Sequence, residues 1–495
     1  MSALLNVPPE ILDFCERPLP QTMIVKGPSG AGKTTLALTL LSCFPGQRFY
    51  VTARVKPEHL RRDFPWTQTP SGGEIQILDS SREGSSARND TLSLLRSHEL
   101  AFSPATSKET PLLLSAPLRE IWKLRDPHSP LMIVVDSWDA LVERYLGPPG
   151  PLEEGIPDRG ELERKLIDLA SDLMVLLVLV LEREGPSSLD YLVDAILDLD
   201  WKETSRGPER FLHLRKLRGT AINTAAYPFT LFEGRFRCVA PIPPHPVVRL
   251  VPPELPPNSY PHEVWPGHSQ LAEIFGLFPE GLIGLLDAEP DVPPNIIRQF
   301  YSPLVSSVLT QGGRVLLISP PQGIPETAWP YFRALMSDEQ ISQQIRIQFP
   351  GGLHDVPPSL EAVVLPSPRS DVAPGFPRTP EAARFIRERV SPKTPNLAIT
   401  WHSGIRALTA ISEAYNPATY PSIVAAYASD APAHILQIGE SGDPFTEAIR
   451  PLSGIHIRLR NVAGRIFVHG ERPMTPNYAL VDGDERLPYQ LIRLV

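Results

Sequence analysis

The strongest constraint on the fold of this chain is a glycine-rich octapeptide, Gly27-Pro28-Ser29-Gly30-Ala31-Gly32-Lys33-Thr34. It has the spacing G-x-x-x-x-G-K-[ST] and lies between an apolar run at 22–25 and a helix-like run at 35–41. In such a segment the backbone N–H groups surround phosphate oxygens at the N-terminus of a helix. The octapeptide therefore predicts a phosphate-binding loop, or P-loop, that joins a strand to a helix.

The positions of this loop have predicted roles in binding a nucleotide. We expect Gly27 to Thr35 to hold the phosphates, with Lys33 at the β- and γ-phosphates and the Thr34 hydroxyl on Mg²⁺. Asp136 follows the apolar run at 131–135, and a carboxylate at the end of such a strand can serve as a second ligand of that Mg²⁺. The sequence therefore predicts ATP and Mg²⁺ as cofactors, with Thr34 and Asp136 as the metal ligands.

The length of 495 residues and the net charge of −9 limit the classes of protein to consider. A chain of this length is expected to form two or three domains. The acidic charge argues against a broad basic surface for nucleic acid. Cys15, Cys43 and Cys238 are far apart and odd in number, which is typical of reduced thiols, and the longest apolar run, 173–181, is too short to span a membrane. We therefore expect a cytoplasmic protein without a membrane partner.

Short β-rich runs alternate with helical stretches from Gln21 to about Pro241, which predicts an α/β fold with a mostly parallel sheet flanked by helices. The strand candidates are Thr22–Val25, Arg48–Thr52, Leu131–Val135, Val175–Leu181, Phe211–Leu217 and Phe229–Phe232. Ten prolines between Pro241 and Pro266 then interrupt the pattern. We predict an ATP-binding domain over residues 1–240, a proline-rich linker over 241–266 and a second domain over 267–495.

The second domain is predicted to repeat the order of strands and helices in the first. Its strand-like runs are 281–286, 314–318, 397–401, 433–438 and 455–460. A glycine-rich loop and a Lys-Thr pair are missing after its first strand, where Asp287, Glu289 and Asp291 occur instead. Three carboxylates would repel phosphate, and we expect them to cap the next helix, with a metal site as the alternative. The second domain is therefore predicted to be a degenerate P-loop-like domain.

Two further segments relate the first domain to a known family. Asp136-Ser137-Trp138-Asp139-Ala140 follows the middle strand, and Leu214-Arg215-Lys216-Leu217-Arg218-Gly219-Thr220 comes later. Together with the P-loop, they resemble KaiC-type domains of the RecA superfamily over about residues 5–240. In that family the Lys and Arg of the later segment reach the nucleotide of a neighbouring subunit. The resemblance thus implies this role for Lys216 and Arg218, and a homo-oligomer, whereas the alternative is a basic surface strand.

A narrower resemblance comes from the segments 52–60 and 63–66, taken together with 136–140. These segments resemble the archaeal gas-vesicle regulator group, the GvpD-like proteins, whose second half is also a degenerate P-loop-type domain. The resemblance implies a regulatory ATP-binding protein that acts on a protein partner. In that group the partner is a transcription activator.

The segment after the second predicted strand departs from the KaiC pattern. KaiC-type domains carry adjacent glutamates there, one of which orients the attacking water, whereas this chain has Arg54. A general base has to reach the water that it activates. Among Glu58, Asp139, Glu182 and Glu184, Glu182 at the end of a strand is the best placed. For Arg54 the two interpretations are a phosphate sensor and a surface ion pair.

We therefore assign catalytic roles to Lys33, Glu182 and Arg218 and expect slow ATP hydrolysis or a nucleotide-gated switch. Two other functions are compatible with the P-loop. A recombination or repair ATPase of the same superfamily would need a basic surface, for which Arg61-Arg62 and the segment 206–218 are candidates. An autokinase would need an acceptor hydroxyl in line with the γ-phosphate, and no segment identifies itself as one.

Overall fold

The computed structural model of the chain describes residues 4–68, 74–80, 115–146, 159–182, 185–241, 263–318, 332–333, 336–348, 363–365, 380–388, 390, 394–403, 416–430, 433–483 and 487–495. The chain divides into two compact units. Unit 1 comprises Met1–Ala240 with Leu494–Val495, and unit 2 comprises Pro241–Arg493. Most of the predicted linker, residues 242–262, lies outside the described residues.

Unit 1 is built on a ten-stranded sheet. Its strands are β1 (Leu4–Leu5), β2 (Gln21–Lys26), β3 (Gln47–Thr52), β4 (Gln76–Asp79), β5 (Leu131–Asp136), β6 (Leu176–Val180), β7 (Ala195–Thr204), β8 (Gly207–Leu217), β9 (Ala226–Thr230) and β10 (Arg237–Val239). Their spatial order is β1-β10-β9-β8-β7-β2-β6-β5-β3-β4. The strands from β4 to β7 pair in parallel, and those from β7 to β1 pair antiparallel.

Helices cover both faces of this sheet, and the middle residues of β2, β3, β5 and β6 are accordingly buried and apolar. They are α1 (Pro9–Cys15), α2 (Lys33–Cys43), α3 (Pro57–Asp63), α4 (Ser115–Leu124), α5 (Trp138–Leu146), α6 (Arg159–Asp172) and α7 (Leu189–Leu192). Met23 and Val25 of β2 belong to the core on the α1–α3 face, whereas Ile24 belongs to the core on the α4–α7 face. This alternation follows from the two-residue repeat of a strand. Because β2 and β5 each pair in parallel with β6, the carboxyl ends of these three strands lie side by side.

Unit 2 contains a second ten-stranded sheet and a two-stranded one. The strands are β11 (Glu263–Val264), β12 (Phe278–Pro279), β13 (Ile283–Ala288), β14 (Arg314–Ile318), β15 (Ile345–Gln348), β16 (Val364–Leu365), β17 (Asn396–Trp401), β18 (His434–Glu440), β19 (Ile455–Val462), β20 (Arg465–Arg472), β21 (Tyr478–Asp482) and β22 (Tyr489–Arg493). Its helices are α8 (Ser269–Phe275), α9 (Pro294–Thr310), α10 (Asp338–Gln344), α11 (Pro380–Arg387), α12 (Tyr420–Asp430) and α13 (Pro444–Ile449). The order of the large sheet is β16-β15-β14-β17-β18-β13-β19-β20-β21-β22.

Nine strands follow the same spatial order in both units. The order β4-β3-β5-β6-β2-β7-β8-β9-β10 of unit 1 corresponds to β15-β14-β17-β18-β13-β19-β20-β21-β22 of unit 2. The parallel and antiparallel pairings also change at the same place, because β7 and β19 are each the last parallel strand. The predicted α/β class with two mostly parallel sheets flanked by helices is therefore confirmed.

Three details differ from the predicted elements. The antiparallel pairing of β7–β10 and of β19–β22 is not predicted by the sequence pattern, and several strands are not among the strand candidates, including β4, β7, β15 and β20–β22. β7 extends past the end of β2, where buried and exposed side chains alternate, so Asp198 and Asp200 weaken its apolar signal. The strand predicted at Phe229–Phe232 ends at Thr230, because the Thr230 hydroxyl accepts a hydrogen bond from the Phe232 N–H and the chain turns.

Candidate nucleotide-binding site

The P-loop of unit 1 follows β2 directly and turns the chain into α2. Gly27 has φ 141° and its Cα lies so close to β7 that a Cβ there would be 2.4 Å from the carbonyl oxygen of Leu199. Gly30 and Gly32 have φ values of 74° and 97°, and Gly32 is the residue before the first turn of α2. Glycine is the residue that adopts these conformations readily, so the sequence pattern is required by the backbone path.

Lys33 folds back over the loop that it follows. Its Nζ donates to the carbonyl oxygens of Gly27 at 2.6 Å and Pro28 at 2.9 Å. Ser29 and Gly30 are exposed at the tip, whereas Ala31 and Thr35 are buried at its base. The loop therefore places a cation and the N-terminus of α2 at the same surface, which is the arrangement that attracts phosphate.

Thr34 and Asp136 meet at the carboxyl edge of the sheet. The Thr34 hydroxyl donates to Asp136 Oδ2 at 2.7 Å, and the Tyr50 hydroxyl donates to the same oxygen. Burial raises the pKa of Asp136, while the hydrogen bonds from Tyr50 and Thr34 and the charge of Lys33 act against this rise. Carboxylate and hydroxyl oxygens are the ligands that Mg²⁺ takes from proteins. The two predicted metal ligands therefore lie in contact and form a donor set that fits Mg²⁺.

Glu182 lies two residues beyond β6, beside the end of β5. Its Oε1 accepts a hydrogen bond from the Ser137 hydroxyl at 2.8 Å, and its Oε2 lies 2.7 Å from the guanidinium of Arg54. Because Ser137 directly follows Asp136, the predicted general base, Glu182, contacts the residue next to the predicted metal ligand. Sequence reasoning proposed Arg54 and Glu182 separately, and the structure pairs them.

The other acids considered for catalysis have different surroundings. Glu58 is exposed in the first turn of α3, and Glu184 lies outside the described residues. Asp139 is buried, with Oδ1 2.6 Å from the guanidinium of Arg159 and Oδ2 accepting from the backbone N–H of Glu182 at 2.6 Å. Asp139 therefore holds the backbone N–H of Glu182 with one carboxylate oxygen and forms an ion pair with Arg159 through the other.

Arg210 is a cation at the P-loop that sequence reasoning missed. It lies on β8 opposite Trp201 of β7, and its guanidinium donates to the carbonyl oxygen of Gly30 at 2.9 Å. Burial lowers its pKa. The contact depends on the length of the β7–β8 hairpin beyond the end of β2, and no local pattern around Arg210 indicates that length.

Lys216 and Arg218 lie away from the P-loop of their own chain. β8 runs antiparallel to β7, so these residues are at the start of β7, whereas the P-loop lies beside its middle. Lys216 Nζ donates to the carbonyl oxygens of Asp190 at 3.0 Å and Val193 at 2.6 Å. The Arg218 guanidinium lies 2.7 Å from Asp194. Both cations are therefore paired within the chain at the start of β7.

The acids at the corresponding edge of unit 2 do not cap the next helix, so this prediction is wrong. Asp287 is a fully buried residue of β13, while α9 begins at Pro294 after Pro293. Asp287 accepts from Ser441 and from Arg450 at 2.9 Å, and His456 Nε2 lies 3.3 Å away. The apolar run ends at Leu286, two residues before the strand does, so the sequence pattern assigns Asp287 to a loop.

Comparison with known proteins agrees with this geometry. Residues 11–218 match the family model described as GvpD gas vesicle protein, P-loop domain. This segment belongs to the GvpD P-loop domain family. The predicted resemblance to the GvpD-like group is therefore confirmed for these residues, and the GvpD P-loop domain is a nucleotide-binding domain.

Two proteins of Halobacterium salinarum (strain ATCC 700922 / JCM 11081 / NRC-1) are similar to this chain. Protein GvpD1 is 29% identical over 247 residues, which are 49% of this chain and 42% of GvpD1. Protein GvpD2 is 30% identical over 245 residues, which are 48% of this chain and 45% of GvpD2. The matched stretch thus spans less than half the length of either relative. Within the described ranges, no helix combines the length and apolar character needed to cross a membrane.

Proposed function

We propose that this chain is a regulatory protein that binds ATP with Mg²⁺ at the P-loop of unit 1 and hydrolyses it slowly. The observation that carries the proposal is the contact of Thr34 with Asp136, because it holds a hydroxyl and a carboxylate beside Lys33. These two side chains would hold Mg²⁺, with the remaining positions left to phosphate oxygens and water. The ion would neutralise charge on the phosphates.

Glu182 is the proposed general base for this slow hydrolysis. Its carboxylate adjoins Ser137 and thus the Asp136 end of β5, which supports the role. General bases contribute about 10²- to 10⁴-fold to the rate, so Glu182→Gln should lower turnover by that range and retain ATP binding. Turnover that is unchanged in this variant would remove Glu182 from catalysis.

The nucleotide is proposed to act as a switch for a protein partner. Loops that are ordered by the γ-phosphate and its Mg²⁺ relax after hydrolysis, and this changes the surface offered to other proteins. The partner that the likeness to GvpD proteins implies is a transcription regulator. Co-purification of such a partner with ATP, and its release with ADP, would support this role.

Arg218, with Lys216, is proposed to reach the nucleotide of a neighbouring copy in a homo-oligomer. The Arg218 side chain is 61% exposed, which leaves it accessible to another molecule. We expect the mass in solution to rise with ATP and Arg218→Ala to lower turnover. A monomer with ATP, together with unchanged turnover in Arg218→Ala, would contradict this role and leave nucleotide binding intact.

The central test is ATP binding to the full chain by titration calorimetry with Mg²⁺. Lys33→Ala should weaken binding about 10- to 100-fold, because hydrogen bonds to charged groups contribute about 1.5–3 kcal/mol. Arg62→Ala is the matched control, since it removes an exposed cation paired with Asp63 on α3. Equal affinity of Lys33→Ala and the parent would overturn the proposal.

A further inference from the structure

The residue that replaces the KaiC-type glutamates, Arg54, projects from a fixed backbone beside Asp136. The N–H of Ala53 donates to the carbonyl oxygen of Asp136 at 2.8 Å, which extends the pairing of β3 with β5. The Thr52 hydroxyl donates to the carbonyl oxygen of Val55 at 2.6 Å, and Arg144 donates to that of Ala53 at 2.8 Å. Arg54 is therefore held two residues beyond Thr52, the residue of β3 that pairs with Asp136.

The side chain of Arg54 has more freedom than its backbone. It is 54% exposed, and its guanidinium lies 2.7 Å from Glu182, which is 33% exposed. Ion pairs with this degree of exposure change an equilibrium constant by less than about fivefold. The pair with Glu182 therefore holds Arg54 weakly, and a stronger anion at this edge can displace the carboxylate.

A terminal phosphate is such an anion. The planar guanidinium binds phosphate oxygens through two parallel N–H groups, and these charge-assisted bonds are about twice as strong as neutral ones. Only a triphosphate would bring a third phosphate to the site, and Lys33 is expected to reach the second phosphate as well as the third, so it serves both nucleotides. A cation at the edge that Asp136 and Glu182 share would meet the third phosphate alone and would therefore distinguish a triphosphate from a diphosphate.

We propose that Arg54 reads the terminal phosphate of the nucleotide by exchanging Glu182 for it. This inference rests on the proposed nucleotide binding at the P-loop and adds the residue that distinguishes its two states. Without a terminal phosphate, Arg54 is paired with Glu182, as the structure shows. With one, Arg54 binds the phosphate, and the Glu182 carboxylate keeps Ser137 as its neighbour and loses its cation.

The exchange predicts opposite effects for the two partners of the ion pair. We would titrate the full chain and its variants with Mg²⁺ and either ADP or a non-hydrolysable ATP analogue, so that the readout is affinity. Arg54→Ala should weaken the triphosphate analogue about 10- to 100-fold and ADP less than about threefold. Glu182→Gln should strengthen the analogue about two- to fivefold, because Arg54 no longer has to leave a carboxylate.

Two further variants check the interpretation. Arg54→Lys keeps the charge and loses the paired N–H groups, so its affinity for the analogue should lie between those of the parent and Arg54→Ala. Arg62→Ala should bind both nucleotides as the parent does. These variants also show whether Arg54→Ala acts through the charge at this position or through misfolding.

The outcomes separate this inference from the proposed function. If Arg54→Ala and Glu182→Gln weaken the analogue equally, the pair is structural and the exchange is wrong. If the parent binds both nucleotides and Arg54→Ala has the same ratio of affinities for the analogue and ADP as the parent, the exchange is wrong and nucleotide binding stands. If the parent binds neither nucleotide, both fail together.

Discussion

Strands β2 and β13 have the same place in their sheets, and the chain leaves them along different paths. The strand pairs β7–β8 and β19–β20 each contain a bulge, which follows Ile196 in unit 1 and His456 in unit 2. When the two units are aligned on these bulges, the pair Lys26–Asp198 of unit 1 corresponds to the pair Asp287–Arg458 of unit 2. In unit 1, the next residue is Gly27, and the chain turns into the P-loop. In unit 2, the next residue, Ala288, stays in the strand, and the N–H of Glu289 still donates to the carbonyl oxygen of Leu459 on β19.

The charges at this aligned position are reversed between the units. In unit 1, Lys26 is paired with Asp190, which lies on the helix before β7. In unit 2, Asp287 is paired with Arg450, which lies just after the helix before β19. Each unit thus has a partly buried ion pair at this position, with the cation on the central strand in unit 1 and the carboxylate on the central strand in unit 2. Unit 2 thus shares the strand order of unit 1, and at the end of β13 it has carboxylates where unit 1 has the P-loop.

Asp287→Ala should have the largest effect on stability. It would leave Arg450 and His456 without the buried carboxylate that compensates them, and breaking a buried pair in this way costs about 3–5 kcal/mol. Chemical denaturation with hydrogen exchange by mass spectrometry would locate the loss in unit 2. Glu447→Ala, which removes the exposed partner of Arg450, is the control and should cost less than about 1 kcal/mol. Equal losses in both variants would mean that the buried contacts of Asp287 stabilise unit 2 no more than the exposed pair of Glu447 with Arg450.

Mg²⁺ with ATP should stabilise unit 1 and leave unit 2 unchanged. A ligand present at 100 times its Kd adds about 2.7 kcal/mol to the stability of the unit that binds it. Hydrogen exchange of the full chain, with and without the nucleotide, would show slower exchange in β2, α2 and β5. Protection of β13 and α9 of the same size would instead mean that unit 2 holds a nucleotide site.

Lys216 has a counterpart in unit 2, and this separates its structural role from its predicted role at a nucleotide. Lys216 and Arg472 each directly follow the bulged residue of their strand, and each donates to carbonyl oxygens at the end of the helix before the neighbouring strand. Lys216→Met and Arg472→Met should each cost about 1–2 kcal/mol of stability, because a buried carbonyl loses a charged donor. ATP turnover would decide the role of Lys216: a loss of turnover in Lys216→Met that Arg472→Met does not share, at a similar loss of stability, would support contact with a neighbouring nucleotide.

Sequence reasoning found the parts of the site that are contiguous and missed those that depend on sheet order. The P-loop and Asp136 are marked by local spacing, and Glu182 by the end of an apolar strand. Tyr50 and Arg210 have no such mark, because Tyr50 reaches Asp136 through the pairing of β3 with β5, and Arg210 reaches Gly30 through a long hairpin.

The pairing of Arg54 with Glu182 could not be predicted for the same reason. β3 and β6 are far apart in the sequence, and they come near each other because both are neighbours of β5 in the sheet. Asp287 shows the opposite error, since the apolar run that marks β13 ends before the strand does. A buried charge at the end of a strand looks like a loop residue until its partners, here on the segments before and within β19, are known.

The smallest effect should be the share of Asp287 in the acid sensitivity of unit 2. Burial alone would raise its pKa, but hydrogen bonds from His456 and Ser441, with the charges of Arg458 and Arg450, hold the pKa below its ordinary value of 3.8. A carboxyl with a lowered pKa stabilises the fold above that ordinary value, and the stabilisation is lost as pH falls through the pKa of the folded state. Asp287→Asn should therefore lower stability at neutral pH and flatten its decline below about pH 4. Urea denaturation of the parent and Asp287→Asn between pH 3 and pH 7 would measure both slopes, and parallel curves would show that Asp287 gains nothing from its cations.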